Sequence, residues 1–347
     1  MYAIGWSYVK ESCGDAVKTL GFVIPTKPDE NRRAILPEDL KNNVALKTRE
    51  NIFVEEGYGA SLDVPDSHYA AVTNVVTKEQ AHLCDIVCDV KGPDESTYDL
   101  YKDDSIIFGW FHAAANQSLR SFLLRGSKTA IAWENMFNPD DSTPENYILK
   151  HNRYLSGRSG ILHAEECMKL DYEGQSVAVL GFGGVGRGAV DALYRKGALV
   201  KLFGRQGIEK FQAELGQFDV VVNAVLWDAT REDHLLFKKD LSRMKENAVI
   251  IDISCDEAGA IETTVPTTFK DPFYDVEGVS HYAVDNTPSF LGKEATDYIS
   301  QQISGHLDDL VCDFNKNAVL RNAIIIQNGQ ILDRTVAAAA EIQECHI

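Results

Sequence analysis

Four stretches of the chain place residues that can do chemistry just past strand-like runs. Arg32 follows the run at 20–24, and Lys91 closes the run at 85–91. His112 follows the run at 105–110. Asp256, with Glu257 beside it, follows Ile250-Ile251-Asp252-Ile253-Ser254. In open α/β sheets ligands bind outside the carboxyl ends of strands, so these are the places to look for a site. Each has a plain alternative: surface charges for Arg32 and Glu257, a capped strand end for Lys91, a satisfied polar histidine for His112. The set says more than its members. Two cations suit a carboxylate, an imidazole suits proton transfer near neutral pH, and an aspartate suits an amine. Together they describe redox chemistry on an amino acid or keto acid.

Such redox chemistry needs a hydride carrier, and residues 175–206 look built for one. Ser176-Val177-Ala178-Val179-Leu180 is a short, β-branched apolar run, and Gly181-Phe182-Gly183-Gly184-Val185-Gly186 follows at once. A helix-like segment at 187–196 and a second strand at 200–203 come next, ending at Gly204-Arg205. Strand, glycine turn, helix and strand form the first unit of a dinucleotide-binding fold. Gly181 allows the tight turn, Gly183 lets a pyrophosphate approach the backbone, and Gly186 lets helix and strand pack closely. Gly184 and Val185 lie just before the helix, whose free N–H groups and dipole favour the pyrophosphate. Ala224 and Val225, ending a strand-like run at 219–226, complete the cofactor side. An NAD site wants an acid at the end of the second strand. Here Gly204 stands in that place and Arg205 follows, a cation able to pair with a 2′-phosphate, so the pattern favours NADPH/NADP.

Other chemistries fit less well. There is no G-x-S-x-G elbow and no H-E-x-x-H. His151 and His163 are not at metal-ligand spacing, Glu166-Cys167 has no local base pattern, and no metal is expected.

The elements that must hold these residues alternate. Further strands are expected at 52–55 and 128–133, and helices at 37–46, 119–125 and 154–170. More strands are expected at 248–254 and 281–284, then one long helix at 294–312 with Ile299, Ile303, Leu307 and Leu310 on a single face. Alternation of this kind implies parallel sheets. The fold class is α/β in two domains. A Rossmann dinucleotide-binding domain spans 151–293. A discontinuous substrate domain takes 1–150 and 294–347, with a cleft between the two. The helices at 154–170 and 294–312 are read as bridges, and 1–18 is not placed.

The chain has 347 residues, enough for two domains, and is 44% apolar and 25% charged. Its 34 Lys+Arg against 52 Asp+Glu leave a net charge of −18. That charge disfavours nucleic acid and anionic membrane surfaces. Seven cysteines without a C-x-x-C pair suggest reduced thiols and a cytoplasmic protein. No apolar run is long enough to span a membrane.

Several motifs, in order from about residue 19 to 335, resemble the alanine dehydrogenase and transhydrogenase family. Glu30-Asn31-Arg32-Arg33-Ala34-Ile35 resembles its E-x-R-V-A-L, Val90-Lys91-Gly92-Pro93 its V-K-E-P, and Phe111-His112-Ala113-Ala114 its L-H-L-A. Residues 129–135 resemble its T-A-I-A-Y-E, which brings in Glu134. Residues 251–256 resemble the strand that ends in its catalytic aspartate, and 281–288, with Asn286, its nicotinamide-side segment. The resemblance implies that Arg32 and Lys91 bind the substrate carboxylate and that His112 and Asp256 are catalytic. Glu134 and Glu257 are implied as further substrate contacts. Two departures, Gly204 for the family's Asp and Ser289 in its N-M-P-G, point to a branch. Glu55-Glu56-Gly57-Tyr58-Gly59, Leu62-Asp63 and Gly109-Trp110 are similar to the N5-(carboxyethyl)ornithine synthase branch.

The expected activity is therefore NADPH-dependent reductive condensation of a 2-oxo acid, pyruvate, with the side-chain amine of ornithine or lysine. Alanine dehydrogenase and a saccharopine dehydrogenase-like enzyme are the alternatives, and a cofactor-binding sensor is the non-enzymatic one. A homo-oligomer is expected, with the apolar face of the 294–312 helix as its contact.

Overall fold

The computed structural model describes residues 17–142, 146–227, 231, 233–255 and 259–344. The chain divides into two compact units, residues 1–149 with 292–347, and residues 150–291. Each is an α/β fold around one sheet.

The first unit holds β1 (Leu20–Phe22), β2 (Ile52–Glu55), β3 (Asn74–Val76), β4 (Ile86–Cys88), β5 (Ile106–Gly109) and β6 (Thr129–Ala132). The second holds β7 (Ser176–Leu180), β8 (Leu199–Phe203), β9 (Val220–Asn223), β10 (Val249–Asp252), β11 (Phe273–Val276) and β12 (Val279–Tyr282). Late in the chain β13 (Ile324–Gln327) and β14 (Gln330–Ile331) return to the first sheet.

The first sheet runs β14-β13-β6-β5-β4-β1-β2-β3 and the second β11-β12-β10-β9-β7-β8. In the first, β1 to β6 pair in parallel, and β13 and β14 add an antiparallel edge. In the second, only β11 is antiparallel.

The central strands are buried along their whole length, as expected for parallel sheets covered on both faces. The pleat sends alternate residues to opposite faces. Ile86, Cys88, Ile106, Phe108 and Ile131 join one core of the first unit, and Val87, Ile107, Ala130 and Ala132 join the other. Ala178, Leu180, Val221 and Ile250 divide from Val177, Val179, Val222 and Ile251 in the same way in the second unit.

Several expectations need correction. The helix expected at 294–312 is two, Gly292–Ser304 and Leu307–Asp313, interrupted at Gly305-His306. Ile299, Ile303, Leu307 and Leu310 still share a face, but it is buried in the core of its own unit. That face is therefore not a contact for another subunit. The helix opened by Pro37 stops at Asn43, and a second short one, Leu46–Arg49, follows. Strands β3, β11, β13 and β14 are additions to the expected set; each is only two to four residues long, and β3, β11 and β14 lie at sheet edges. The helix Tyr147–Met168 starts earlier than the 154–170 segment. Among the described residues Cys84, Cys88, Cys167 and Cys255 are free thiols. Of 1–18, only Val17 and Lys18 are among the described residues. No described helix is long and apolar enough to cross a membrane.

Candidate active site

The order of the first sheet brings four candidate residues to neighbouring strand ends. From β1 the chain goes out to β2 and β3, then returns to the other side of β1 with β4, β5 and β6. The switch point lies between β1 and β4, where a crevice for ligands forms in such sheets. Arg32 follows β1, Lys91 follows β4, His112 follows β5, and Glu134 follows β6. Those four strands are consecutive and parallel, so all four residues leave the same end of the sheet.

Arg32 is 1% exposed, which removes the surface-charge alternative. Glu30 holds it as a fork. Arg32 Nε donates to Glu30 Oε1 at 2.8 Å and Nη2 donates to Oε2 at 2.6 Å. The Arg32 backbone N–H also donates to Glu30 Oε1 at 2.9 Å. The guanidinium carbon lies 5.2 Å from the centre of the Trp110 ring. A bidentate pair with a ring beneath it sets the plane and direction of the cation.

Lys91 is half-buried, and a turn shapes its backbone. Its N–H donates to Asp89 Oδ1 at 2.9 Å, and the Gly92 N–H donates to the Asp89 carbonyl at 3.2 Å. Asp89 itself is buried, and burial pushes its carboxyl up to about 7 against the pull of the Lys91 N–H. The charges of Glu30, Asp94 and Glu55 push the same way.

His112 is exposed and has a φ of 48°, in the left-handed region. Its N–H donates to Glu134 Oε1 at 2.8 Å, and the Phe111 N–H donates to the same oxygen at 3.2 Å. Burial raises the Glu134 carboxyl, and the N–H groups of Glu134, His112 and Phe111 and the charge of Lys91 oppose that rise. Lys91, His112 and Glu134 therefore act within one electrostatic neighbourhood.

Sequence reasoning misses Glu30 and Asp89 as site residues. Asp89 does carry a signal: it is a charged residue inside Ile86-Val87-Cys88-Asp89-Val90, a run otherwise fit for a buried strand. Glu30 carries none beyond its place two residues before Arg32.

The second unit repeats the switch. The chain runs from β7 to β8, then crosses to the other side of β7 with β9, β10 and β12. Gly181 follows β7 with a φ of 86°, and the helix Gly184–Arg195 starts after Gly183. Val185 lies in its first turn, and Ala224 and Val225 follow β9 on the other side of the switch. The glycines divide by cause. A Cβ on Gly186 would lie 2.2 Å from the Gly181 carbonyl oxygen, so packing requires glycine there. A Cβ on Gly183 or on Gly204 would meet nothing within 4 Å, and neither has a positive φ. Space that the protein does not fill, at a helix N-terminus and at the end of β8, fits the pyrophosphate and ribose of a dinucleotide. Arg205 is exposed beside Gly204. Asn286 has a φ of 66° and its carbonyl accepts the Ser289 N–H at 3.0 Å.

At the ends of β9 and β10, Asp252 is buried and accepts from Asn223 Nδ2 at 2.8 Å and Thr264 Oγ1 at 2.6 Å. The N–H groups of Ser254 and Cys255 also donate to it, at 3.1 and 2.9 Å. Burial raises its carboxyl against these four donors. Asp252 thus anchors the chain that leads towards Asp256 and Glu257, which lie outside the described residues. Among the described residues no group of His, Cys, Asp and Glu could hold a metal ion.

Comparison with known proteins gives consistent findings. Residues 24–145 match the model of "Alanine dehydrogenase/PNT, N-terminal domain", and residues 205–334 match that of "Alanine dehydrogenase/PNT, C-terminal domain". An N(5)-(carboxyethyl)ornithine synthase of Clostridium botulinum is 28% identical, over 83% of this chain and 93% of that protein. Alanine dehydrogenase 1 of Staphylococcus aureus is 25% identical, over 91% of this chain and 95% of its own. A solved L-alanine dehydrogenase superposes with a TM-score of 0.82 at 23% identity, covering 93% of this chain and 99% of that one. A transhydrogenase from Sinorhizobium meliloti superposes with a TM-score of 0.76 at 18% identity, covering 91% and 99%. At those identities the structures carry the fold.

Proposed function

We propose, from the premise that the chain belongs to the alanine dehydrogenase/PNT family, that it is an NAD(P)-dependent oxidoreductase of reductive condensation. Its substrates are a 2-oxo acid and the side-chain amine of a basic amino acid, pyruvate and ornithine being the pair proposed. The observation that carries the reading is the set Arg32, Lys91, His112 and Glu134 at four adjacent parallel strand ends. The synthase of C. botulinum, similar over 93% of its length, supports the large amine. Gly204, open where an NAD site wants an acid, supports NADPH.

The residues divide the work. Arg32 and Lys91 hold the keto-acid carboxylate by charge-assisted hydrogen bonds. The amine nitrogen adds to the keto carbon and passes a proton to the oxygen, which becomes a hydroxyl. His112 gives the proton that lets this oxygen leave as water, and a protonated imine remains. Asp256 accepts the ammonium proton that frees the amine, with Glu257 beside it. When bound, NADPH supplies the hydride that reduces the imine carbon. Gly181, Gly183, Gly184, Val185 and Gly186 would hold its pyrophosphate, Gly204 and Arg205 its 2′-phosphate. Ala224, Val225 and Asn286 would border the nicotinamide half. In this reading residues 1–149 with 292–347 form the substrate domain and 150–291 the dinucleotide domain. The protein is proposed to be a cytoplasmic homo-oligomer, testable by light scattering.

The test is product analysis with pyruvate, NADPH and either ornithine or ammonia. The expected product has the mass of amine plus keto acid, less water, plus two hydrogens. Alanine as the only product with ornithine in excess refutes the condensation and supports alanine dehydrogenase, the second reading, which the S. aureus relatives favour.

A further inference from the structure

We infer that Glu134 is a positioning residue that holds the His112 backbone in its left-handed conformation and so aims the imidazole, rather than a contact for substrate. The inference rests on the proposed role of His112 in proton transfer. A left-handed residue with a Cβ is disfavoured, and His112 has a φ of 48° without being glycine. Something must hold it there.

The carbonyl side is held by the chain that follows. The Ala115 and Asn116 N–H groups donate to the His112 carbonyl at 3.0 and 3.1 Å. Asn116 Oδ1 then accepts the Leu119 N–H at 3.1 Å, capping the helix Gln117–Leu123. The N–H side is held by Glu134, through the 2.8 Å bond to Oε1. Phe111 N–H adds 3.2 Å to Oε1 and 3.4 Å to Oε2.

Glu134 sits on a short turn, Trp133–Asn135, directly after β6. β6 is the parallel neighbour of β5, with Ala132 opposite Gly109. The carboxylate therefore ties one strand end to the next and spends its acceptors on main-chain donors. A side chain that fixes a backbone in this way acts on turnover through the group it aims. Misplacing a reacting group by about 1 Å costs roughly 10²-fold.

The experiment is a double-mutant cycle on turnover with pyruvate, NADPH and the amine substrate. Glu134→Ala should lower kcat by about 10- to 100-fold and leave the keto-acid KM within about twofold. Glu134→Gln, which keeps an acceptor oxygen for the His112 N–H, should restore kcat to within roughly threefold of the parent. Glu134→Ala in a His112→Ala background should cost nothing further, because the group it aims is gone. If Glu134→Ala does not fold, Glu134→Asp replaces it: one methylene shorter, it should lose kcat where Glu134→Gln does not. A raised KM with kcat kept would make Glu134 a substrate contact and overturn the inference. Unchanged kcat in Glu134→Ala, or fully additive losses in the double variant, would overturn it as well. Full turnover in His112→Ala would sink the role of His112 and this inference with it.

Discussion

The two sheets share one plan and dress it differently. In each a central strand, β1 or β7, is followed by strands on one side and then by strands on the other. The switch point in the first unit is lined by side chains: Arg32 forked by Glu30, Lys91 turned by Asp89, His112 held by Glu134. The switch point in the second is lined by glycine and backbone, with Gly183 and Gly204 leaving space that the protein does not fill. The difference follows from what each end would recognise. A small keto acid must be oriented, protonated and neutralised, which takes directional charged side chains. A pyrophosphate is a bulky dianion that backbone N–H groups at a helix start can hold, provided that no Cβ intrudes.

The comparison breaks first at His112. His112→Ala should lower kcat by about 10²–10⁴ while leaving dinucleotide affinity unchanged, since the imidazole belongs to the first unit's end only. Equilibrium dinucleotide binding and steady-state turnover, measured on the same preparation, check this. A fall in both would mean that the two ends do not divide the work.

Asp89 gives the next largest effect, on stability. Its carboxyl, ordinarily near 3.8, is raised to about 7 in the folded protein. Between those values the folded chain keeps a proton that the unfolded chain releases. Stability from this group is therefore fully present below about pH 4 and is lost as pH rises towards 7. At about 1.4 kcal/mol per unit the loss has an upper bound of roughly 4 kcal/mol. Asp89→Asn should flatten that part of the profile. Urea unfolding of both proteins from pH 4.5 to 8 reads the difference, and parallel profiles would show that Asp89 ionises early.

The contrast also explains what is legible in the sequence. Glycine spacing is local, so the turn at Gly181 and the close packing at Gly186 can be read from residue order alone. The central strands are legible as β-branched runs such as Val177-Ala178-Val179. Burial of charge is not local. Arg32 reads as a loop charge until the fold buries it against Glu30 and the Trp110 ring, and Glu30 reads as its polar neighbour. The break at Gly305-His306 is hidden because Ile299, Ile303, Leu307 and Leu310 keep helical spacing across it. The same spacing suggests a subunit contact, when the face serves the unit's own core. The left-handed backbone of His112 leaves no trace in residue order, because it depends on Glu134, which arrives only after the next strand.

Arg205 sharpens the cofactor side. A charged hydrogen bond is worth about 1.5–3 kcal/mol. Arg205→Ala should weaken NADPH binding by about that much and leave NADH nearly unchanged. Tighter binding of NADH than NADPH by the unaltered protein would instead remove the 2′-phosphate role.

The smallest effect is expected at Gly183, and it tests whether open space in the second unit belongs to a ligand. An added Cβ meets nothing within 4 Å, and the φ of −77° suits any residue. Gly183→Ala should therefore change folding stability by under about 1 kcal/mol, the scale of an N-cap exchange. Its dinucleotide affinity should still fall, by about tenfold, because the methyl occupies the approach of the pyrophosphate. Gly186→Ala is the contrast within the same turn. Its Cβ would press to 2.2 Å on the Gly181 carbonyl oxygen, so its loss should appear in the thermal midpoint. Thermal unfolding and direct binding of NADPH, run on both variants, separate the two causes. If Gly183→Ala binds as tightly as the parent, the space is not where the pyrophosphate lies. The side-chain end and the backbone end would then no longer be distinguished by what fills them.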